Sequence, residues 1–271
     1  MQKSFSVANP KPESFPLLKE LWAETFGDSD NVINNFFEKT AKTQNIFCVF
    51  HEEKPVSVLY AIDSVIALDG KEYKAYYVYA VCTKKEYRGM GLMKGLFREL
   101  EKVAQNRGVS YLFLVPAEES LFGMYEKIGF KVGFTYKEQL LNSFSCEITE
   151  EVKALSFNEY KAYRNSDISL PSAILNEEGF ESFYKPVESV CCFSVDDTGY
   201  AVFENDDDCV VVYELFGDKN ILLSQIFKIT NAKNLMLRGP CTHGGKPFGM
   251  VKSIDGSPYF ENGFFGVPYG G

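Results

Sequence analysis

Apolar and polar positions in the first half of the chain change their spacing several times, and each change predicts a new element. Apolar residues recur at helical spacing up to Thr40, with Gly27 and Asp28 interrupting the run. Extended runs follow, and the dipeptide Asp69-Gly70 is typical of a hairpin turn. The predicted elements are two helices within residues 15–40, strands over 45–50, 55–68 and 72–82, a helix over 91–107, a strand over 111–115, a helix over 118–128 and a strand over 130–136. This order predicts a mixed α/β sheet with a central strand–helix–strand crossover.

The second half of the chain repeats part of this order. Its predicted elements are strands over 188–195, 200–204 and 209–216, a helix over 219–228 and a strand over 234–237. From Pro240 onward glycine and proline are frequent, which predicts loops and short extended pieces. The shared order favours a duplication of the first half, and the alternative is an unrelated α/β cap.

Composition narrows the possible classes of protein. The 271 residues are enough for two domains, and a formal net charge of -9 disfavours nucleic acid as a partner because phosphates are repelled. No apolar run approaches the roughly 20 residues that span a bilayer, so we expect no membrane partner. The seven cysteines form no CxxC pair, which favours free thiols in a reducing compartment. With no leader pattern at the N-terminus, we expect a cytoplasmic protein.

The candidate chemistry begins where the strand ending near Cys82 gives way to the helix near Leu92. The intervening loop carries Gly89 and Gly91, which allow a backbone to curl closely around a ligand. Backbone N–H groups at a helix N-terminus attract phosphate, and Arg88 could add a charge-assisted bond to it. A turn between a strand and a helix can also need glycine for steric reasons alone.

Two motifs in this region resemble those of the GNAT superfamily, the Gcn5-related N-acetyltransferases. Residues 88–93 resemble motif A, R/Q-x-x-G-x-G/A, which binds the pyrophosphate of acetyl-CoA; Arg88 and Gly91 match, whereas Met93 replaces the final small residue. Residues 125–130, Tyr-Glu-Lys-Ile-Gly-Phe, resemble motif B, Y-x-x-x-G-F, on the helix after the next strand. The apolar strand between them resembles the one that splays to admit the pantetheine arm.

The resemblance extends to the bacterial Eis-like acetyltransferases, in which a second GNAT-like domain follows the first. It implies a catalytic GNAT domain over residues 1–146 and a degenerate GNAT-like domain over 147–271. In the second half, residues 216–220 after the Val-rich strand contain no arginine and one glycine. We therefore expect that this half binds no cofactor.

The resemblance also implies how the acyl donor is held and which group does the chemistry. The backbone from Val81 to Thr83 would pair with the pantetheine as an added strand, and an N–H near Val81 would stabilise the oxyanion. Tyr125 would protonate the departing thiolate as a general acid; the alternative is a packing role with its hydroxyl bonded to backbone. The residues implied to bind acetyl-CoA are Val81, Cys82, Thr83, Arg88, Gly89, Met90, Gly91, Leu92 and Met93.

The general base that must deprotonate the amine is not evident from the motifs. Four carboxylates are available: Glu24, Asp28, Glu118 and Glu119. Resemblance to the Eis-like proteins implies another option, the terminal carboxylate of Gly271. The aromatic residues Trp22, Phe26 and Phe37 are expected in the core, with the alternative that they line a substrate pocket.

The implied activity is that of an N-acetyltransferase, with acetyl-CoA as the acyl donor and a primary amine of a small molecule or peptide as the acceptor. The alternatives are a regulatory module that binds acetyl-CoA without turnover and a protein acetyltransferase whose second half docks a peptide. His51 and His243 lack the spacing of zinc ligands, so we expect no metal. Cys82 has no evident histidine partner, which favours a core thiol over an acyl-enzyme nucleophile.

Overall fold

The computed structural model describes residues 4–142, 151–166, 170–184, 190–206 and 209–266. The expected domain boundary between residues 146 and 147 lies outside these ranges, as does the candidate base Gly271. Within them the chain forms twelve strands and seven α-helices. The predicted mixed α/β fold is confirmed.

Strands and helices alternate along much of the chain. The strands are β1 (Ser6–Ala8), β2 (Ile46–His51), β3 (Lys54–Leu68), β4 (Lys71–Thr83), β5 (Tyr111–Leu114), β6 (Lys131–Asn142), β7 (Ser172–Leu175), β8 (Val190–Val195), β9 (Gly199–Asp206), β10 (Cys209–Gly217), β11 (Asn234–Gly239) and β12 (Lys246–Ser253). The helices are α1 (Phe15–Phe26), α2 (Asp30–Lys39), α3 (Leu92–Asn106), α4 (Phe122–Glu126), α5 (Phe157–Ser166), α6 (Glu177–Phe183) and α7 (Lys219–Thr230).

All of these strands belong to one mixed sheet. Its order is β1-β2-β3-β4-β5-β12-β6-β11-β10-β9-β8, and β7 pairs with the far end of β3. Two neighbouring pairs are parallel: α3 connects β4 to β5, and α7 connects β10 to β11. We call β4–α3–β5 the first crossover and β10–α7–β11 the second crossover. The predicted central strand–helix–strand unit is therefore present, and the second half repeats its topology.

Strand β6 joins the two parts of the sheet. Its residues 131–136 pair with β12, whereas residues 137–142 pair with β11. The sequence predicted this strand only up to Tyr136, and the structure extends it to Asn142. The longer strand is what connects the first crossover to the second without a break in hydrogen bonding.

The prediction of loops and short pieces after Pro240 is wrong for Lys246–Ser253, which forms β12 between β5 and β6. Pro247 and Gly249 are turn signals, but Gly249 lies at a register shift in the ladder. A Cβ on Gly249 would lie 3.1 Å from the backbone oxygen of Leu114. Glycine at this position allows two strands to approach closely and does not end the strand.

Helices cover both faces of the sheet around the first crossover. Leu96, Phe97 and Leu100 of α3 are buried against one face. The opposite face is covered by α1, α2 and α6, where Trp22 and Phe183 are buried. This sandwich leaves the ends of β4 and β5 between two apolar layers.

The helix predicted over residues 118–128 is shorter in the structure. A 3₁₀ turn at Glu119–Leu121 leads into α4, which ends at Glu126. Gly123 within this helix weakens the helical preference of the segment. The elements β1, β7, α5 and α6 were not predicted from the sequence.

Candidate active site

The first crossover contains an opening between its two parallel strands. β4 and β5 pair only where Ala75–Tyr77 faces Tyr111–Phe113. Beyond these residues β4 continues to Thr83, while β5 ends at Leu114. The strands therefore diverge, and the edge of β4 past Tyr77 is left available to an extended ligand, which can bind as an added strand.

On its other edge, β4 carries a bulge at the same level. Val58 faces Cys82 and Tyr60 faces Tyr79, so that Ala80 and Val81 lie opposite the single residue Leu59. Ala80 has a left-handed backbone with φ of 45°. A bulge turns the strand and redirects its backbone groups. Val81, the predicted oxyanion donor, consequently lies at the wall of the opening.

The opening is part of a cleft of about 280 Å³ that passes between the two faces of the sheet. Val78 and Leu114 in its wall belong to the apolar layer beneath α3, whereas Trp22 and Tyr77 belong to the layer beneath α1 and α2. The lining residues are Trp22, Phe26, Asp28, Tyr77, Val78, Tyr79, Ala80, Val81, Leu114, Val115, Ala117, Leu121 and Tyr125. Two reactants entering from opposite faces could therefore meet in it.

Tyr125 of α4 lies in the wall of this cleft with a side chain that is 5% exposed. Its ring packs edge-on against Phe97 and Phe130, with centroids 6.0 Å away in both cases. Burial raises the pKa of its hydroxyl from 10.0 to about 12. Within the described part of the chain that hydroxyl has no hydrogen-bond partner. The side chain is thus fixed by its ring, with a protonated hydroxyl left to interact with a ligand.

The glycine loop over residues 84–91 ends at an open helix N-terminus. Gly89 and Gly91 have φ values of 78° and 76°, the left-handed region that glycine tolerates best. Gly91 is the N-cap of α3 and supplies no side-chain cap, and the first turn of α3 contains no acidic residue. Among the described residues, no side chain therefore caps the N–H groups at the positive dipole end of this long helix.

The side chains around the loop have distinct positions. Arg88 is exposed, and its Nε donates to the backbone oxygen of Thr83 at 3.0 Å. Met90 is 48% exposed, whereas Leu92 and Met93 pack against the apolar layer of α3. Met93, which departs from motif A, therefore points its bulk into the core and leaves the loop backbone accessible.

Cys82 lies in β4 next to the loop, but its thiol is buried on the opposite side of the sheet from α3. Burial raises the pKa of this thiol from 9.0 to about 12, so the reactive thiolate is scarce at neutral pH. The structure thus supports a backbone role for Cys82 and gives no support for an acyl-enzyme.

One of the four candidate carboxylates lies in the cleft. Asp28 lines it, and the Oδ2 atom of Asp28 accepts a hydrogen bond from Trp22 Nε1 at 2.6 Å. Glu24, Glu118 and Glu119 are exposed and do not line the cleft. Asp28 is therefore the carboxylate best placed to meet an amine.

The aromatic residues of the cleft include two that sequence patterns left undecided. Trp22 and Phe26 line the cleft, whereas Phe37 packs into the core against Trp22 and Tyr60. Tyr77 and Tyr79 also line it, although nothing in the sequence singled them out. Their alternating positions in the Tyr-rich end of β4 could have indicated that they share one face of the strand.

The second crossover has a different helix start. Only Asp218 separates β10 from α7, and its Oδ1 atom accepts hydrogen bonds from the N–H groups of Asn220 and Ile221. A carboxylate thus occupies the helix N-terminus where a phosphate would have to bind. This arrangement supports the expectation that the second half binds no cofactor.

A larger cavity of about 620 Å³ lies beyond the C-terminal end of α3. In its wall Arg107 donates from Nη1 to Asn45 Oδ1 at 2.8 Å and to the hydroxyl oxygen of Tyr76 at 3.0 Å. Neither Tyr125 nor the glycine loop lines this cavity. The residues predicted to carry out acyl transfer therefore lie outside this cavity.

No group of three or more His, Cys, Asp or Glu side chains among the described residues could hold a metal ion. None of the helices in these ranges is both long and apolar enough to cross a bilayer.

One family model matches the part of the chain that contains this cleft. Residues 6–133 match the family model of the acetyltransferase (GNAT) domain. No curated protein sequence matches the chain. The GCN5-related N-acetyltransferase from Kribbella flavida is 13% identical, with 92% of this chain and 71% of that one covered and a TM-score of 0.70.

Two further solved structures have the same overall fold. The GCN5-related N-acetyltransferase from Anabaena variabilis is 13% identical, with coverage of 93% and 73% and a TM-score of 0.73. Eis1 from Mycobacterium abscessus is 9% identical, with coverage of 93% and 74% and a TM-score of 0.68. These likenesses concern the fold, and they extend over both halves of the chain. The resemblance seen in the motifs is thus confirmed: residues 6–133 match the GNAT acetyltransferase domain, within a fold shared with an Eis protein.

Proposed function

We propose that this protein is an N-acetyltransferase that transfers the acetyl group of acetyl-CoA to a primary amine of a small molecule or peptide. The proposal is carried by Tyr125, whose protonated and unpartnered hydroxyl lines the cleft between the diverging strands of a GNAT domain. A hydroxyl that makes no hydrogen bond to the described residues is available to donate its proton to a ligand in the cleft, as a general acid must.

The donor side of the reaction is assigned to the glycine loop and the edge of β4. The open N-terminus of α3, Gly89 and Gly91 would bind the pyrophosphate through backbone N–H groups, and Arg88 would add a charge. The free edge of β4 up to Thr83 would pair with the pantetheine arm. Both contacts would bring the thioester to the level of the bulge at Val81.

The chemical step is a direct transfer of the acetyl group from the thioester to the amine. The ammonium group first loses one proton to solvent. The neutral amine then attacks the thioester carbonyl, the carbon–nitrogen bond forms, and the N–H of Val81 stabilises the oxyanion. The carbon–sulfur bond then breaks and Tyr125 gives its proton to the sulfur. The products are the acetylated amine and the free thiol. The surplus proton of the amine passes to solvent, and solvent returns a proton to the Tyr125 oxygen. Holding both reactants in one cleft supplies much of the acceleration.

A thiol-release assay with acetyl-CoA and a panel of amines and peptides tests this proposal. Direct attack in a ternary complex predicts intersecting initial-velocity lines, whereas an acyl-enzyme predicts parallel lines. The matched variant Cys82→Ala should keep the wild-type turnover number, because only the backbone of Cys82 takes part. Acetyl-CoA binding without thiol release for any acceptor would favour the regulatory module instead, and acetylation of peptides alone would favour the protein acetyltransferase.

A further inference from the structure

The half of the cleft that faces α1 is built from aromatic rings. Trp22 and Phe26 of α1 face Tyr77 and Tyr79 of β4, and Phe26 is 37% exposed at the rim. Trp22 and Tyr79 lie with their ring centroids 5.4 Å apart. This wall is braced from the second half, because the Phe183 ring of α6 packs edge-on against Tyr79 at 4.9 Å.

Asp28 is the one charged side chain among the described residues that line the cleft. Gly27, with φ of 76°, ends α1 and turns the chain so that Asp28 folds back towards Trp22. The hydrogen bond from Trp22 Nε1 fixes Oδ2 of the carboxylate at 2.6 Å. No cation among the described residues pairs with Asp28, so Oδ1 is available to a ligand.

The size and charge of the cleft restrict what can bind there. A cavity of roughly 150 Å³ lined by apolar residues accommodates benzene. The 280 Å³ available here suits one ring and a short chain beside the acetyl group. A polycationic acceptor would need several carboxylates, and only Asp28 is present in the described wall.

We propose that the acceptor is a small arylalkyl primary amine, whose ring packs against Phe26 and Tyr79 in front of the buried Trp22 and whose ammonium group pairs with Asp28. Aromatic faces also attract a cation, which adds to the binding of the ammonium group. That this amine is a substrate rests on the proposed acetyl transfer. Binding of the amine can be measured without turnover.

Trp22 makes the binding directly observable, because it is the single tryptophan of the chain. Emission excited selectively at this residue should change in a saturable way when 2-phenylethylamine is added to the full-length protein. The neutral analogue 2-phenylethanol and the ringless butylamine should each bind at least about 10-fold more weakly, since each lacks one of the two contacts. Equal affinity for 2-phenylethylamine and 2-phenylethanol would overturn the role of the charge.

The variant Asp28→Asn removes the charge and keeps an oxygen that can accept the hydrogen bond from Trp22. This variant should weaken the binding of 2-phenylethylamine about 10- to 100-fold and leave the affinity for 2-phenylethanol unchanged. The matched variant Glu24→Gln removes an exposed carboxylate one turn earlier and should change neither affinity. An Asp28→Asn protein that binds the amine as tightly as wild type would contradict the assignment.

Failure of this inference is distinguishable from failure of the proposed function. Thiol release with aliphatic amines or peptides, together with no emission change on adding 2-phenylethylamine, would overturn the acceptor class and leave the acetyltransferase intact. Saturable binding of 2-phenylethylamine without any thiol release would support the site and overturn the enzyme. The ligand series on the wild-type protein decides the inference even where a variant fails to fold.

Discussion

The two crossovers have the same topology, but the first is open and the second is closed. In the first, residues 84–91 separate β4 from α3, and a cleft of about 280 Å³ lies between the strands. In the second, only Asp218 separates β10 from α7, and the cavity beside Tyr213 and Arg238 is about 10 Å³. The first crossover therefore leaves its helix start and its strand gap open, whereas in the second Asp218 closes the helix start and residues from other segments close the gap.

The second opening is filled by the segment 264–266 and by a buried charge. A Cβ on Gly266 would lie 2.5 Å from the backbone oxygen of Tyr213, so this segment is tightly packed against β10. Beside it, Glu214 is fully buried and accepts hydrogen bonds from the hydroxyls of Tyr184 at 2.8 Å and Tyr200 at 2.5 Å. Arg164 Nη2 lies 3.3 Å from Glu214 Oε1. The same fold thus leaves an open cleft in one half and a packed core in the other.

The largest effect expected from this comparison is on the chemistry of the first opening. Tyr125→Phe keeps the ring contacts with Phe97 and Phe130 and removes the proton donor. We expect the turnover number to fall about 10²- to 10⁴-fold with little change in the affinity for acetyl-CoA. A thiol-release assay beside calorimetric titration measures both quantities. Near wild-type turnover in this variant would remove Tyr125 as the acid.

Substitutions at the second opening should change the stability of the protein and leave its affinity for acetyl-CoA unchanged. Glu214→Gln leaves Arg164 as an uncompensated buried charge, which should lower the free energy of unfolding by about 3–5 kcal/mol. The matched variant Glu138→Gln breaks partly exposed ion pairs with Lys246 and Arg238, and it should cost at most about 1 kcal/mol. Urea unfolding measures both changes. A loss of acetyl-CoA affinity in the folded Glu214→Gln protein would contradict the comparison.

Glycine serves different purposes in the two helix starts. A Cβ on Gly217 would lie 1.9 Å from the backbone oxygen of Thr198, whereas a Cβ on Gly91 would meet nothing within 4 Å. Gly217→Ala should therefore lower the free energy of unfolding by more than about 2 kcal/mol, and Gly91→Ala by about 1–2 kcal/mol through backbone strain. Only Gly91→Ala should also weaken acetyl-CoA binding, which titration of both variants would reveal. Equal affinities in the two variants would contradict the phosphate role of the loop.

Alkaline pH should destabilise the protein through its buried tyrosines. Burial raises the pKa values of Tyr184 and Tyr200 well above 10.0, the value near which the unfolded chain ionises. The folded protein retains these protons above pH 10 while the unfolded chain releases them. The free energy of unfolding is therefore unaffected by these tyrosines below pH 10. Above pH 10 it falls by about 1.4 kcal/mol per pH unit for each tyrosine. An unfolding midpoint in urea that stays constant from pH 8 to pH 11 would count against this.

Much of the first crossover could be predicted from the sequence because its signals are local. The glycine loop, α3 and the position of Tyr125 depend on neighbouring residues and on short spacing rules. The insertion of β12 between β5 and β6 depends on a contact between Gly249 and Leu114, which are far apart in the chain. No local pattern carries that information, and the Gly and Pro residues of the segment predicted loops and short extended pieces.

The candidate site was predictable to a similar extent. Motif residues indicated the donor side, but the acceptor wall needs Trp22 of α1 to meet Tyr79 of β4 across the sheet. Asp28 was one of four equivalent carboxylates in the sequence, and only the turn at Gly27 selects it. Side chains that meet through tertiary packing are therefore what the sequence left open.

Calorimetric titration of acetyl-CoA into the protein distinguishes the two crossovers best, because it reports affinity and stoichiometry together. We expect one site per chain, at the first crossover, and about 10-fold weaker binding in Arg88→Ala. Absence of binding, or two sites per chain, would contradict an open first crossover and a closed second one.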